Sequence, residues 1–349
     1  MSKAIKNISL AILATLIAAG AYLYSQDFRP VVYKVAEKAV EKIVTDSQPR
    51  KDDFRLLFCG TGSPNRTPAR GQPCTALVAN GKLFLFDAGE GAIGKLSEYG
   101  APVGQLGGIF LTHLHSDHIS GVAEVLHNTW LYGRRNPTII RGPHGTEALI
   151  KGFESAYDED LTERNRVLAA ENLKRETVFA GAADIHVEGS SSVIVHEENG
   201  LTIRAFRVDH PDWHHAFGYR IEHKGKVVVI SGDTKASDGI RQYAQGADIL
   251  IHEALNSEIL LHVGEQLELR GAPITRKRMA VIAEAHTSTL ELAEIAQQTA
   301  AKNLVLTHLI PALPPTWIAE QFFTSGMGDI YKGNIIVARD GQWIDVLGL

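Results

Sequence analysis

From residue 54 to residue 349 the sequence predicts an α/β fold: two β-sheets sandwiched by helices, preceded by an N-terminal membrane-spanning or signal helix. Three observations predict it. Short runs of β-branched and aromatic residues alternate with helical patterns after Phe54, and they fall into two groups separated by helices. The whole chain is 44% hydrophobic and 21% charged, an ordinary globular composition that excludes disorder and collagen. Between Lys6 and Asp27 lie 20 residues without a charge, enough at about 1.5 Å each to cross a bilayer core of roughly 30 Å.

Taken in order, residues 1–26 read as a signal anchor or a signal peptide. Lys3 and Lys6 precede the apolar run and hold the N-terminus inside, which places the remainder in a periplasmic or other extracytoplasmic space. Ala19-Gly20-Ala21 fits a cleavage site. Tyr22 and Tyr24 suit an interfacial belt and favour an uncleaved anchor. Residues 27–53 read as an amphipathic helix and a polar linker, with Val32, Val35, Val40 and Ile43 opposite Glu37, Lys38, Glu41 and Lys42.

In the catalytic region, residues 54–349, strands are expected at 54–59, 74–79, 83–86, 108–111, 192–195, 201–208, 226–230, 248–251, 303–306 and 335–338. Helices are expected at 92–99, 120–131, 145–157, 238–245 and 289–302. Residues 158–183, charged and without strand character, read as a helical insertion. The placement of residues 258–279 does not follow from the pattern.

Charge and cysteine narrow the chemistry. Lys and Arg number 35 against 40 Asp and Glu, a net charge of −5; residues 1–53 carry +2, so the remainder carries −7. That balance gives no electrostatic case for nucleic acid. Cys59 and Cys74 are the only cysteines, which excludes a four-cysteine zinc module. They could pair in an oxidising compartment, but buried free thiols are the commoner fate of small cysteines in apolar strands.

Histidine is the unusual count, at 15. His113-Leu114-His115-Ser116-Asp117-His118 directly follows the apolar run Ile109-Phe110-Leu111. Four metal-competent side chains within six residues, where a buried strand ends, converge only if the backbone turns there. His210, with His214 and His215 competing for its role, and His308 after Leu304-Val305-Leu306 are further candidates. Asp87, at a strand end, either caps the next helix or orients a ligand histidine. Thr61, Gly62 and Ser63 form either a nest of N–H groups or a plain tight turn.

These motifs, with Cys59-Gly60-Thr61-Gly62-Ser63-Pro64, Leu85-Phe86-Asp87-Ala88-Gly89-Glu90-Gly91, Phe217-Gly218-Tyr219-Arg220, Ser231-Gly232-Asp233-Thr234, His252-Glu253-Ala254, His286-Thr287-Ser288 and Leu306-Thr307-His308, resemble the metallo-β-lactamase-fold hydrolases. The resemblance is closest to the branch containing ribonuclease Z and the zinc-dependent arylsulfatases. It implies an αββα four-layer sandwich and two Zn²⁺ per chain. His113, His115 and His210 would hold one ion, Asp117, His118 and His308 the other, with Asp233 bridging. A hydroxide between the metals would be the nucleophile. Asp117, Glu253 and His286 would be catalytic, the last two as a carboxylate–histidine pair, although the 33-residue step from Glu253 to His286 exceeds the family's usual spacing.

Departures from the family set the expected substrate. Ribonuclease Z carries a long Gly/Pro-rich arm between the Gly-Tyr-Arg segment and the bridging aspartate, whereas here only residues 221–230 separate Arg220 from Ser231. The expectation is a hydrolase of a small anionic ester, sulfate or phosphate, with a lactone or carboxylic ester as the alternative. A nuclease and a binding-only protein rank lower. The remaining expected partners are a membrane, through the N-terminal segment, and a second copy in a homodimer.

Overall fold

The structure, a computed structural model, describes residues 28–46, 53–65, 67–168, 173–179, 181–211, 213–272 and 276–349. It divides into two compact units, residues 1–46 and 47–349. In the first, α1 (Arg29–Asp46) occupies the stretch expected to be amphipathic, and its Val31, Val32, Tyr33 and Val35 are exposed. No helix among the described residues is long and apolar enough to cross a membrane. The expected span at residues 7–26 lies outside them.

The second unit holds two seven-stranded sheets. The first comprises β1 (Phe54–Gly60), β2 (Cys74–Ala79), β3 (Lys82–Phe86), β4 (Leu106–Phe110), β5 (Ile139–Gly142), β6 (Gly181–Asp184) and β14 (Trp343–Asp345), in the order β14-β1-β2-β3-β4-β5-β6. The second comprises β7 (Ser192–Glu198), β8 (Leu201–His210), β9 (Trp213–His223), β10 (Lys226–Ile230), β11 (Ile249–Leu255), β12 (Asn303–Ile310) and β13 (Asn334–Val337), in the order β13-β12-β11-β10-β9-β8-β7.

The period-two alternation of each strand builds the layers. In β1, Phe54, Leu56 and Phe58 face the second sheet, where they join Phe217, Tyr219, Ile249 and Val305 in the central core. Leu57 and Cys59 point the other way, into a core with Leu96, Leu126, Trp130 and Ile150 from α2 (Ala92–Glu98), α4 (Val122–Leu131) and α5 (Thr146–Ala156). On the far side of the second sheet, Val229, Leu250 and Leu304 meet Ile240 of α7 (Asp238–Tyr243) and Leu292 and Ile295 of α10 (Thr289–Gln298). Each such side chain, fully buried, contributes roughly 1.5–3 kcal/mol. The layers run helix, sheet, sheet, helix, as expected.

Four strands escaped the sequence pattern: β5, β6, β9 and β14. Among the described residues, the expected insertion at residues 158–183 is helical in α6 (Asp158–Leu168) and in a short 3-10 turn at Arg175–Thr177, and its end already belongs to β6. Residues 258–279 belong to a helical hairpin, α8 (Ser257–Leu269) and α9 (Arg276–Ala285). Cys59 and Cys74 form a disulfide with a Cα separation of 5.0 Å, which corrects the expectation of free thiols. The strands β1 and β2 are antiparallel neighbours; Gly60 is paired with Cys74, and the register shift between Phe58 and Gly60 leaves Cys59 beside it within bridging distance.

Candidate metal centre

The strands β3, β4 and β5 of one sheet and β10, β11 and β12 of the other run parallel within their sheets. In such sheets the crevice beyond the carboxyl ends is where the chain turns and ligands bind. The predicted residues lie there. Asp87 follows β3, His113 and His115 follow β4, and Asp117 and His118 sit in the short helix α3 (Ser116–Ile119). His210 ends β8, Asp233 follows β10, Glu253 lies in β11, His286 precedes α10 and His308 lies in β12.

Local backbone features aim several of these groups. The β11–β12 register passes from Glu253↔Thr307 to Ala254↔Leu309, so His308 is the extra residue of a β-bulge. Its φ is +45° and that of Asp87 is +59°, both in the left-handed region that non-glycine residues rarely adopt. Gly232, at φ +64°, lets the backbone pass so close to Thr112 and Phe217 that an added Cβ would lie 2.8 Å from the Thr112 Cβ.

The donor atoms converge. His118 Nε2 is 3.3 Å from Asp233 Oδ2 and 3.5 Å from Asp117 Oδ2; His308 Nε2 is 3.2 Å and 3.5 Å from the same two oxygens. Zinc–ligand bonds of 2.0–2.1 Å in a tetrahedron set donors about 3.3 Å apart. The second cluster, His113, His115 and His210, has ring centroids 4.6–5.0 Å apart, and His113 Nε2 lies 3.9 Å from Asp233 Oδ2. Asp233 therefore stands between both clusters. Of the two competitors to His210, His215 is exposed, and the His214 side chain lies outside the described residues.

Hydrogen bonds define the tautomers. His118 Nδ1 is 2.7 Å from Asp87 Oδ2, so Nδ1 carries a proton and Nε2 is the nitrogen turned to the cluster. The Thr112 hydroxyl has one proton, and the Asp87 carboxylate at 2.8 Å takes it. It must then accept from His113 Nδ1 at 3.0 Å, which likewise turns the His113 Nε2 lone pair inward. The Thr112 N–H also donates to Asp87. Asp87 thus orients a histidine. Thr112, which sequence reasoning missed, carries the same control to His113; its only trace in the sequence is a polar β-branched residue between an apolar run and the first histidine.

Burial and charge act oppositely on the ring nitrogens. Burial, reinforced by the neighbouring His118, holds His113 well below the usual imidazole range, and burial brings His210 down to about 4. Burial also lowers His118, but Asp233 and Asp87 outweigh it and raise the group well above that range. Burial raises Asp233, yet His308, His118 and His113 hold it well below the carboxylate range. His118 Nε2, both nitrogens of His210, His308 Nε2, Asp117 Oδ2 and Asp233 Oδ1 are buried with no hydrogen-bond partner in the protein. Orphaned donors of these types, spaced as ligands on one ion, fit a metal.

Beside the cluster, His286 Nδ1 lies 3.4 Å from Glu253 Oε1 despite the long intervening segment. Burial lowers this imidazole, but the Glu253 carboxylate dominates and raises it to about 9. Glu253 Oε1 also accepts the Thr287 N–H at 2.7 Å, and the Thr287 hydroxyl donates to the Thr234 carbonyl. At Thr61–Ser63 the nest is not formed: Thr61 N–H donates to Asp340 and Gly62 N–H to the Gly71 carbonyl. A larger cavity of about 530 Å³, lined by Glu320, Thr324, Gly328 and Asp329, holds none of the clustered side chains.

Comparison with known proteins agrees with this geometry. Residues 82–309 match the model of the beta-lactamase superfamily domain. A ribonuclease Z of Mycobacterium bovis (strain BCG / Pasteur 1173P2) is 30% identical over 296 residues, 84% of this chain and 98% of the relative. Human tRNase Z, short form, superposes with a TM-score of 0.58 at 22% identity, covering 84% of this chain and 99% of that one. The metallo-beta-lactamase fold protein YhfI from Bacillus subtilis gives 0.57 at 18% identity, with 84% and 99% covered. The first two carry the ribonuclease Z or tRNase Z name, and none of the three is named an arylsulfatase. With its paired sheets, clustered histidines and aspartates and near-full-length match, the chain belongs to the beta-lactamase superfamily, in the group that includes the ribonucleases Z, and is a metal-dependent hydrolase acting on ester bonds.

Proposed function

We propose that the protein is a dinuclear zinc hydrolase of phosphate-type esters, with a phosphodiester as the preferred bond and a sulfate ester as its close analogue. The observation that carries this reading is the place of the Asp233 carboxylate between two donor groups, His113–His115–His210 and Asp117–His118–His308, at 3.9 Å from His113, 3.3 Å from His118 and 3.2 Å from His308. Zinc ions bound there would supply Lewis acidity and an activated water at neutral pH, and a net positive charge that attracts an anionic ester.

The chain's own residues do the rest. Asp87 and Thr112 fix the ring orientations of His118 and His113. Asp117 and Asp233 balance the positive charge. His286, raised to about 9 by its contact with Glu253 in the metal-free protein, faces the cluster with its ring centroid 5.6 Å from that of His308 and 5.9 Å from that of His210. It is placed to give its proton to the departing oxygen.

A nuclease is the second reading, favoured by the relatives' name. A single structural feature separates it from the first. Where the family's arm would extend, β9 and β10 are joined by the two-residue turn Lys224–Gly225, whose φ angles of +50° and +74° suit a tight hairpin. Yet the Mycobacterium bovis relative matches this chain over 98% of its own length, so the ribonuclease Z name extends to a protein that this armless chain nearly spans. The net charge of −7 therefore no longer suffices to dismiss nucleic acid. Zinc-loaded protein assayed against an aryl phosphodiester, an aryl sulfate, a lactone, a β-lactam and a 3′-extended tRNA separates the readings. The proposal expects the phosphodiester to be turned over fastest; preference for the lactone overturns it, and preference for tRNA replaces it with the nuclease.

A further inference from the structure

The segment that separates Glu253 from His286 forms the hairpin of α8 and α9, and its tip differs from the rest of its unit in charge. Residues 54–349 carry −7. Within residues 268–278, however, Arg270, Arg276, Lys277 and Arg278 stand against Glu268 alone, and all four cations are exposed. Apolar side chains flank them: Leu269 is 73% exposed and Val281 60%. The guanidinium of Arg270 bonds back to Gln266 of its own helix, so it remains at the tip.

A second exposed group adjoins the base of this hairpin. The helix α11 (Trp317–Phe323) presents Trp317, Ile318 and Phe322, each 67–72% exposed. The two elements touch where the side chain of Asn256, the N-cap of α8, donates to the carbonyl of Phe323. Both leave strands that carry site residues: α8 continues β11 after Glu253, and α11 follows β12 after His308. The hairpin returns at His286.

We propose that the α8–α9 hairpin and α11 together form a docking face for a lipid bilayer carrying anionic headgroups. Three properties favour this occupant over a polynucleotide. A basic tip on a unit of net negative charge favours that end at a negative surface. Exposed Leu269, Val281 and Ile318 have no use on a phosphate backbone, whereas they gain from burial among acyl chains. Trp317 is the residue type that best tolerates the boundary between headgroup and hydrocarbon. Because His286 closes the hairpin, docking would hold the metal cluster near the bilayer surface and favour esters presented there.

The test uses the full chain with vesicles of phosphatidylcholine, alone or mixed with phosphatidylglycerol. Binding is read by flotation and by tryptophan emission with brominated-lipid quenching. The proposal expects tighter binding to the anionic vesicles, weakened by salt, and a blue shift and quenching that vanish in Trp317→Phe. Each basic residue near such a surface contributes about fivefold in affinity, so the combined variant Arg276→Gln, Lys277→Gln, Arg278→Gln should bind on the order of 100-fold more weakly. Its turnover of a soluble aryl phosphodiester should be unchanged, which shows that it folds. Equal binding of wild type and variant to anionic vesicles overturns the proposal, as does emission of Trp317 that ignores lipid. If the variant instead loses affinity for single-stranded RNA while its vesicle binding is unaltered, the basic tip is a nucleic-acid contact.

Discussion

Asp87 shows how much chemistry one side chain directs without facing the metal cluster. Its carboxylate receives the His118 Nδ1–H, the Thr112 hydroxyl and the Thr112 amide, so a single group sets two rings. Replacing it with Ala should lower zinc affinity 10- to 100-fold, the usual cost of losing an outer partner, as read by competition with a chelator. Unchanged affinity would return Asp87 to helix capping. His286 makes the opposite test, since it should matter for rate and not for metal. His286→Ala should keep its zinc yet lose about 10²- to 10⁴-fold on esters with poor alkoxide leaving groups, and far less on a nitrophenolate, which departs without a proton. Equal losses on both would give His286 a binding or structural role. At this scale the sequence was informative where ligands are contiguous: residues 113–118 announce themselves. Thr112 did not, because its role is a relay in which its hydroxyl donates to Asp87 and accepts from His113, and Asp87 is 25 residues away in sequence.

Among the elements, apolar runs buried on both faces were legible, as in Ala76–Ala79 of β2 and Ile249–Ile251 of β11, where every residue is buried. β9 was missed for a physical reason: Trp213-His214-His215 opens it, and histidines beside a candidate ligand read as a site before they read as a strand. β5 and β6 are four residues each, and β14 has three; all gain stability from neighbours and little from their own pattern. The Cys59–Cys74 bridge belongs to this scale as well. It closes the segment that Arg70 anchors from inside, through hydrogen bonds to the Thr61 hydroxyl and the carbonyls of Ala338 and Leu313. A loop of about 15 residues is worth roughly 3 kcal/mol in the unfolded-chain account. Cys59→Ser with Cys74→Ser should therefore lower stability by about that amount in urea titration. A loss near zero would mean that the buried Arg70 network already holds the segment.

For the whole molecule, metal and proton compete for one set of buried nitrogens, which gives a pH signature unlike that of an ordinary acidic protein. In the chelated protein, His113 and His210 are held below an unfolded value near 6.5, His210 at about 4. Between these values the unfolded chain binds more protons, so this contribution to stability rises with pH from about 4 to 6.5. His118 and His286 behave oppositely, being raised, His286 to about 9. Their contribution is complete below 6.5 and is lost as pH climbs through the folded values. Asp233 is held low and keeps its contribution until strong acid. The chelated protein should therefore show a urea midpoint that peaks near pH 6.5 and falls on both sides. Zinc bound at His118 Nε2 would take the place of its proton and remove that residue's share of the alkaline decline, leaving the share of His286, while making the acid decline steeper, because every ligand must be deprotonated to bind. Two zinc ions per chain should be recovered at pH 8 by elemental analysis. A chelated protein with a flat profile, or a zinc-loaded one with the same alkaline decline, would show that the cluster is held by its own hydrogen bonds and owes nothing to metal.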